Sequence, residues 1–204
     1  MNTREKILDK ALEMFNERGI EYVGLRELAA LLDMRVSNIT YYFPTKDDLV
    51  YELSQQLAKR NSETIKPAAH LTMRTFLEMM HQVFVNHIEF RCLLLSFVHV
   101  MQQNKVVSAA YKKTQLQRTS TIRTNLESLA SGGYLKVEET DVLDFLVAAV
   151  SLISRFWISE AAVSFRNLSE EQQMKRSLLM VTKLLTPYAT TKGKKEIQLF
   201  EDAL

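Results

Sequence analysis

The chain has 204 residues, with 26 Lys/Arg against 24 Asp/Glu, a net charge of +2 and 47% hydrophobic residues. That length can bury a substantial core, and the near-neutral balance excludes a partner chosen by bulk charge alone. A lone cysteine, Cys92, excludes an internal disulfide and a cysteine metal cluster, and no basic-then-apolar leader opens the chain, so a reducing cytoplasm is the expected compartment.

The first helix starts at Asn2 or Thr3, because Asn2 followed three residues later by Glu5 makes a capping box. Ile7, Ala11, Met14 and Phe15 share one face, and Gly19 ends the helix. A second helix is predicted over about 25–32, with Leu25, Leu28, Ala29 and Leu32 inward. Asp33 follows at a turn, where aspartate tolerates left-handed backbone better than most residues. A third helix covers 36–43 and stops at Pro44. Thr45-Lys46-Asp47-Asp48 opens a fourth, which runs toward 66 and Pro67. Beyond it lie long amphipathic helices near 71–88, 90–103, 105–131, 141–165 and 170–188, broken by Gly132-Gly133 and capped at Ser169-Glu-Glu-Gln172. A short terminal helix over 195–203 is expected to fray.

Charge is unevenly placed. Residues 1–60 hold nine bases and ten acids, residues 61–135 eight and four, and residues 136–204 nine and ten. Any grip on a polyanion must therefore come from a local face rather than bulk basicity. The longest strongly apolar stretch, 145–154, is too short to span a bilayer and ends at Arg155.

The segment 24–49 carries the chemistry. Two short helices around a tight turn form a helix-turn-helix, which places its second helix in the major groove. Ile39 and Phe43, four apart, hold that helix on its scaffold. Arg35, Val36, Ser37, Asn38 and Thr40 then project toward base edges, where asparagine can pair with adenine, arginine with guanine, and a Val or Thr methyl can touch the thymine methyl. Tyr41 and Tyr42 can donate to phosphates, and Lys46 adds a cation at a helix N-terminus already suited to an anion.

Leu28-Ala29, Asp33-Met34, Ile39, Tyr42-Phe43, Lys46-Asp47 and Leu49, preceded by Phe15 and Gly19, resemble the DNA-binding domain of the TetR family of bacterial transcription regulators. The resemblance covers roughly residues 1–60. It implies an all-α fold: an N-terminal three-helix helix-turn-helix domain and a C-terminal antiparallel helical bundle that dimerises and often binds a small ligand. About nine helices are expected in all. It also implies that Arg26 reads a base and that Gly24, Tyr41, Tyr42 and Lys46 contact phosphates. Gly24 stands where the family usually has threonine, Asp33 replaces a turn glycine, Arg35 a serine and Thr40 a tyrosine.

These readings give a DNA-binding domain over 1–48, a linking helix over 46–66, and an effector-binding and dimerisation domain over 67–204. Aromatics at helical spacing in the latter can line an apolar pocket, for which Phe84, His87, Phe97, Tyr111, Arg155 and Phe156 are candidates. Wide apolar stripes on the last two long helices suggest a partner face made by Phe145, Ala149, Trp157, Met174, Leu178 and Val181. The expected partners are a near-palindromic DNA operator, a second copy of the chain and a small apolar or amphipathic effector that releases a repressor. No histidine spacing suits a metal, no cofactor is expected, and no catalytic grouping is visible. A helical ligand-binding or protein-interaction module whose helix-turn-helix no longer binds DNA stays open as a second reading.

Overall fold

In the computed structural model, which describes residues 2–68 and 70–204, α1 runs Thr3–Arg18, α2 Leu25–Leu31, α3 Val36–Tyr42 and α4 Lys46–Thr64. Then come α5 (Met73–Glu89), α6 (Arg91–Leu95), α7 (Phe97–Gln103), α8 (Lys105–Ser131), α9 (Thr140–Ser164), α10 (Glu170–Leu185) and α11 (Thr191–Ala203). Among the described residues there are thus eleven α-helices and no strand, two more helices than expected. One extra element comes from Ser96, which breaks the predicted 90–103 helix. Its backbone sits at φ −89°, ψ 14°, and its hydroxyl lies 3.1 Å from the Glu21 carboxylate. The other is α11, which is no frayed end. Thr190 caps it, Ile197 and Phe200 are buried, and Gly193 lies so close to the Tyr134 carbonyl that a Cβ would meet it at 2.2 Å.

The expected caps form. Asn2 Oδ1 accepts the Glu5 N–H, and Glu5 returns the bond to the Asn2 N–H, both at 2.9 Å. Ser169 and Gln172 do the same for α10. Thr45 and Asp48 do so for α4: the Thr45 N–H reaches Asp48 Oδ2 at 2.8 Å, and the Asp48 N–H reaches Thr45 Oγ1 at 3.3 Å. Each satisfies helix-end amides that would otherwise lack partners.

Packing separates two units. The first comprises residues 1–60 and 89–112, and the second 61–88 and 113–204. The division differs from a boundary near residue 67, because α6 and α7 pack with the N-terminal helices. The first unit's core is Ile7, Leu8, Met14 and Phe15 of α1, Leu28 of α2, Ile39 of α3, Leu49 and Leu53 of α4, and Phe90 and Cys92. The Asn16 side chain bonds it to the inserted segment, its Nδ2 donating to the Glu89 carbonyl at 2.7 Å and its Oδ1 accepting the Cys92 N–H at 3.0 Å.

The second unit is a helical bundle. Its core includes Phe76, Met80 and Phe84 of α5, Leu126 and Leu129 of α8, Leu146, Val150 and Trp157 of α9, and Leu178, Val181 and Leu185 of α10. α9 is long and apolar enough to cross a membrane by length and composition, yet one face of it packs into this core. Its other face leaves Phe145, Leu152 and Val163 exposed.

Candidate nucleic-acid interface

The first unit builds a face from two short helices. α2 ends in a tight reversal: the Asp33 N–H bonds the Ala30 carbonyl at 3.2 Å and the Met34 N–H bonds the Ala29 carbonyl at 2.9 Å. This pairing needs a positive φ at Asp33, which is 53°. The turn delivers α3 with Ile39 fully buried and Phe43 2% exposed. Burying a side chain like Ile39 stabilises the seat of the helix by about 1.5–3 kcal/mol. The opposite face is open: Arg35, Val36, Ser37, Asn38, Tyr41 and Tyr42 are all exposed, with Tyr41 at 80%. The two tyrosine rings meet edge to face at 5.0 Å. Thr40 is half-buried, with its hydroxyl donated back to the Ser37 carbonyl at 3.3 Å.

Arg26 on α2 is also exposed, and Gly24 precedes that helix in extended backbone without a side-chain cap. An ion pair between Arg18 and Glu27 at 2.5 Å fixes α2 to the end of α1. The Arg4 guanidinium pairs with Glu52 at 2.6 Å and lies over the Phe43 ring, bracing the end of α3. Lys46 differs from expectation. It is half-buried, and its Nζ donates to the Ile20 carbonyl at 2.8 Å and the Glu21 carbonyl at 3.3 Å.

In the second unit the pocket candidates group differently from the sequence expectation. Phe84 stacks on His87 and on Trp157, with centroids 6.0 and 4.9 Å apart. Arg155 lies over Phe156 at 5.8 Å. Phe97 and Tyr111 belong to the first unit, where their rings pair edge to face at 5.0 Å.

His87 is 5% exposed, with Trp157 Nε1 donating to its Nδ1 at 3.2 Å and the Asn61 amide 3.2 Å from its Nε2. The Asn61 amide lies 3.1 Å from that of Asn86. A neutral imidazole carries one N–H. The Trp157 N–H can only donate, so Nδ1 is the acceptor and that proton sits on Nε2, on the side of the Asn61 amide. Burial, with the Arg118 charge nearby, pushes the His87 pKa down to about 3. Asn61 and Asn86 escape sequence reasoning; their signal is a polar residue at an inward helical position.

The partner-face candidates need correction. Trp157, Leu178 and Val181 are 5%, 0% and 0% exposed, so these side chains belong to the chain's own core. Phe145 is 52% exposed, and Ala149 and Met174 are half-buried. The outward apolar residues on these helices are Phe145, Leu152, Val163 and Met180. A groove of about 200 Å³ between α9 and α10 is lined in part by Leu152, Phe156, Trp157, Phe165 and Met180.

A family model described as bacterial regulatory proteins of the tetR family matches residues 7–53, and one described as bacterial transcriptional repressor matches residues 50–197. A curated relative described as the probable HTH-type transcriptional regulator YttP of Bacillus subtilis is 33% identical over 69 residues. That match covers 34% of this chain and 33% of the relative, so the chain spans about a third of the length of the curated protein it matches.

Among solved structures, a TetR-family transcriptional regulator from Marinobacter aquaeolei VT8 is similar over 100% of this chain and 98% of its own, with TM-score 0.91 and 20% identity. A structure of SmeT in complex with triclosan is similar over 94% and 93%, with TM-score 0.63 and 16% identity. These likenesses carry the fold, and the family models, one spanning more than half of the sequence, carry the kinship: the chain belongs to the TetR family of bacterial transcription regulators, which are not enzymes.

Proposed function

We propose that the protein is a homodimeric DNA-binding repressor released by a small apolar or amphipathic effector, acting in the cytoplasm on a near-palindromic operator. The observation that carries this reading is the two-sidedness of α3: Ile39 is sealed into the core while Arg35, Val36, Ser37 and Asn38 stand in solvent. In this reading those four residues, Thr40 and Arg26 read base edges, and Gly24, Tyr41 and Tyr42 meet phosphates. One short helix reads too few bases, so two copies must engage a symmetric site. The outward stripe of Phe145, Leu152 and Val163 on α9, with Met180 on α10, supports a second copy as the cover for that face.

The effector reading rests on the aromatic group in the second unit, with Phe84, His87, Arg155 and Phe156 as candidates for its lining. The triclosan complex of a structural neighbour supports a small organic molecule as the class. Repression fits the description of the matching family model. The effector must prefer one of two states of the dimer to change its hold on DNA.

The test is selection from random duplex DNA, followed by gel shifts on the recovered sequence. A recovered palindrome is expected. Arg26→Ala or Asn38→Ala is expected to cost about 1–3 kcal/mol and to relax discrimination at one base position. Selection that enriches no sequence would sink the reading.

A further inference from the structure

Lys46 sits at the start of α4, where a lysine beside helix amides suits a phosphate. Three observations oppose that role. The ammonium is spent on two carbonyls of the 20–22 turn, at 2.8 and 3.3 Å. At the end of α4 the Thr45 and Asp48 amides are already taken up by the reciprocal Thr45 and Asp48 cap, which leaves fewer of them for an anion. Asp47 and Asp48 place two exposed carboxylates in the same helical turn, where they repel a phosphate.

The tie does something else. The turn that Lys46 holds closes on the Tyr22 N–H to Gly19 carbonyl bond, which is long at 3.3 Å. Gly19 enters it at φ 92°, and Val23, buried at 2% exposure, leads out of it to Gly24 and α2. Arg26 lies in the first turn of that helix. The carbonyls gripped by Lys46 therefore set where α2 begins, while α3 is set independently by Ile39 and Phe43.

We propose that Lys46 is a positioning residue for DNA reading: it pins the 20–22 turn to the head of α4 and so holds Arg26 in register with the base-reading face of α3. This rests on the proposed role of Arg26, and the test separates the two.

Full-length Lys46→Met, Lys46→Gln and Lys46→Arg are compared with wild type on the duplex recovered by selection and on a scrambled duplex of equal length, across a salt series. Lys46→Met is expected to lower the selected-over-scrambled affinity ratio by about tenfold, with the salt slope on the scrambled duplex unchanged. Lys46→Gln, which keeps a neutral donor, falls between, and Lys46→Arg retains most of the ratio. In the free protein, hydrogen exchange quickens over residues 21–27 in Lys46→Met and not over 36–43.

An equal loss on both duplexes in Met and Gln variants, with the salt slope reduced by about 0.9, overturns the proposal in favour of a phosphate contact. A lower melting temperature with an intact affinity ratio overturns it in favour of a purely structural tie. If wild type selects no operator, the DNA-binding function itself fails. The exchange experiment still judges the tie, and unchanged exchange over 21–27 overturns it.

Discussion

Two helix faces, one in each unit, differ in kind. In the N-terminal unit α3 turns apolar anchors inward and short polar side chains outward: Ile39 and Phe43 are buried while Arg35, Ser37 and Asn38 are exposed. The second unit buries polar chemistry, in the Asn61, Asn86, His87 and Trp157 network, and leaves apolar side chains outside, in Phe145, Leu152, Val163 and Met180. A surface of donors and acceptors suits a polyanion with readable edges; an apolar stripe suits another protein surface. The proposed DNA partner rests on the first of these faces and the proposed second copy on the other.

The sharpest way to break the contrast is at Ile39. Ile39→Ala is expected to cost about 2–5 kcal/mol by opening a cavity under α3. The loss should be local: faster hydrogen exchange across 25–43 and lost DNA binding, with Trp157 fluorescence unchanged. A uniform loss through the chain would mean that the two units are not separable in stability.

Next is the buried histidine. Its pKa is about 3 in the folded chain against an ordinary 6.5, so the unfolded chain takes up the proton first as pH falls. This contribution to stability is complete above about pH 6.5 and shrinks below it, by about 1.4 kcal/mol per pH unit until about pH 3. Urea unfolding between pH 7 and pH 4 measures the slope, and His87→Gln should flatten it. An unchanged slope in the variant would show that the acid sensitivity arises elsewhere.

The outward stripe of α9 offers a third test. Leu152→Glu puts a charge on that face without touching the core and should convert a dimer to a monomer in sedimentation at equal concentration. A dimer that survives would move the partner face off this part of α9.

The smallest effect is expected at Gly24, where nothing lies within 4 Å of an added Cβ and the backbone is ordinary extended chain. Gly24→Ser supplies the missing cap of α2 and should raise stability by about 0.5 kcal/mol, read from the denaturation midpoint. A loss would mean that the open amides of α2 are already satisfied in another way.

Local features were the most legible in sequence. The capping boxes at Asn2, Thr45 and Ser169, the left-handed Asp33 and the anchors Ile39 and Phe43 each depend on residues within a few positions of one another. Longer-range ties were not legible. Nothing in the spacing tells that Asn16 bridges to residues 89 and 92, or that Lys46 turns to the carbonyls of residues 20 and 21. The wide stripes of α9 and α10 misled for another reason. When two faces of a helix are apolar, the 3.6-residue period names both faces without saying which one is inside. The pattern therefore points Trp157, Leu178 and Val181 toward a partner, although they fill the chain's own interior.

The chain contains a single tryptophan, and it stacks on Phe84 while its indole N–H is held by His87. Its emission therefore reports from one known spot, with no label and no competing fluorophore of its type. Candidate effectors can be screened by titrating the unmodified protein in a cuvette and watching that one signal shift.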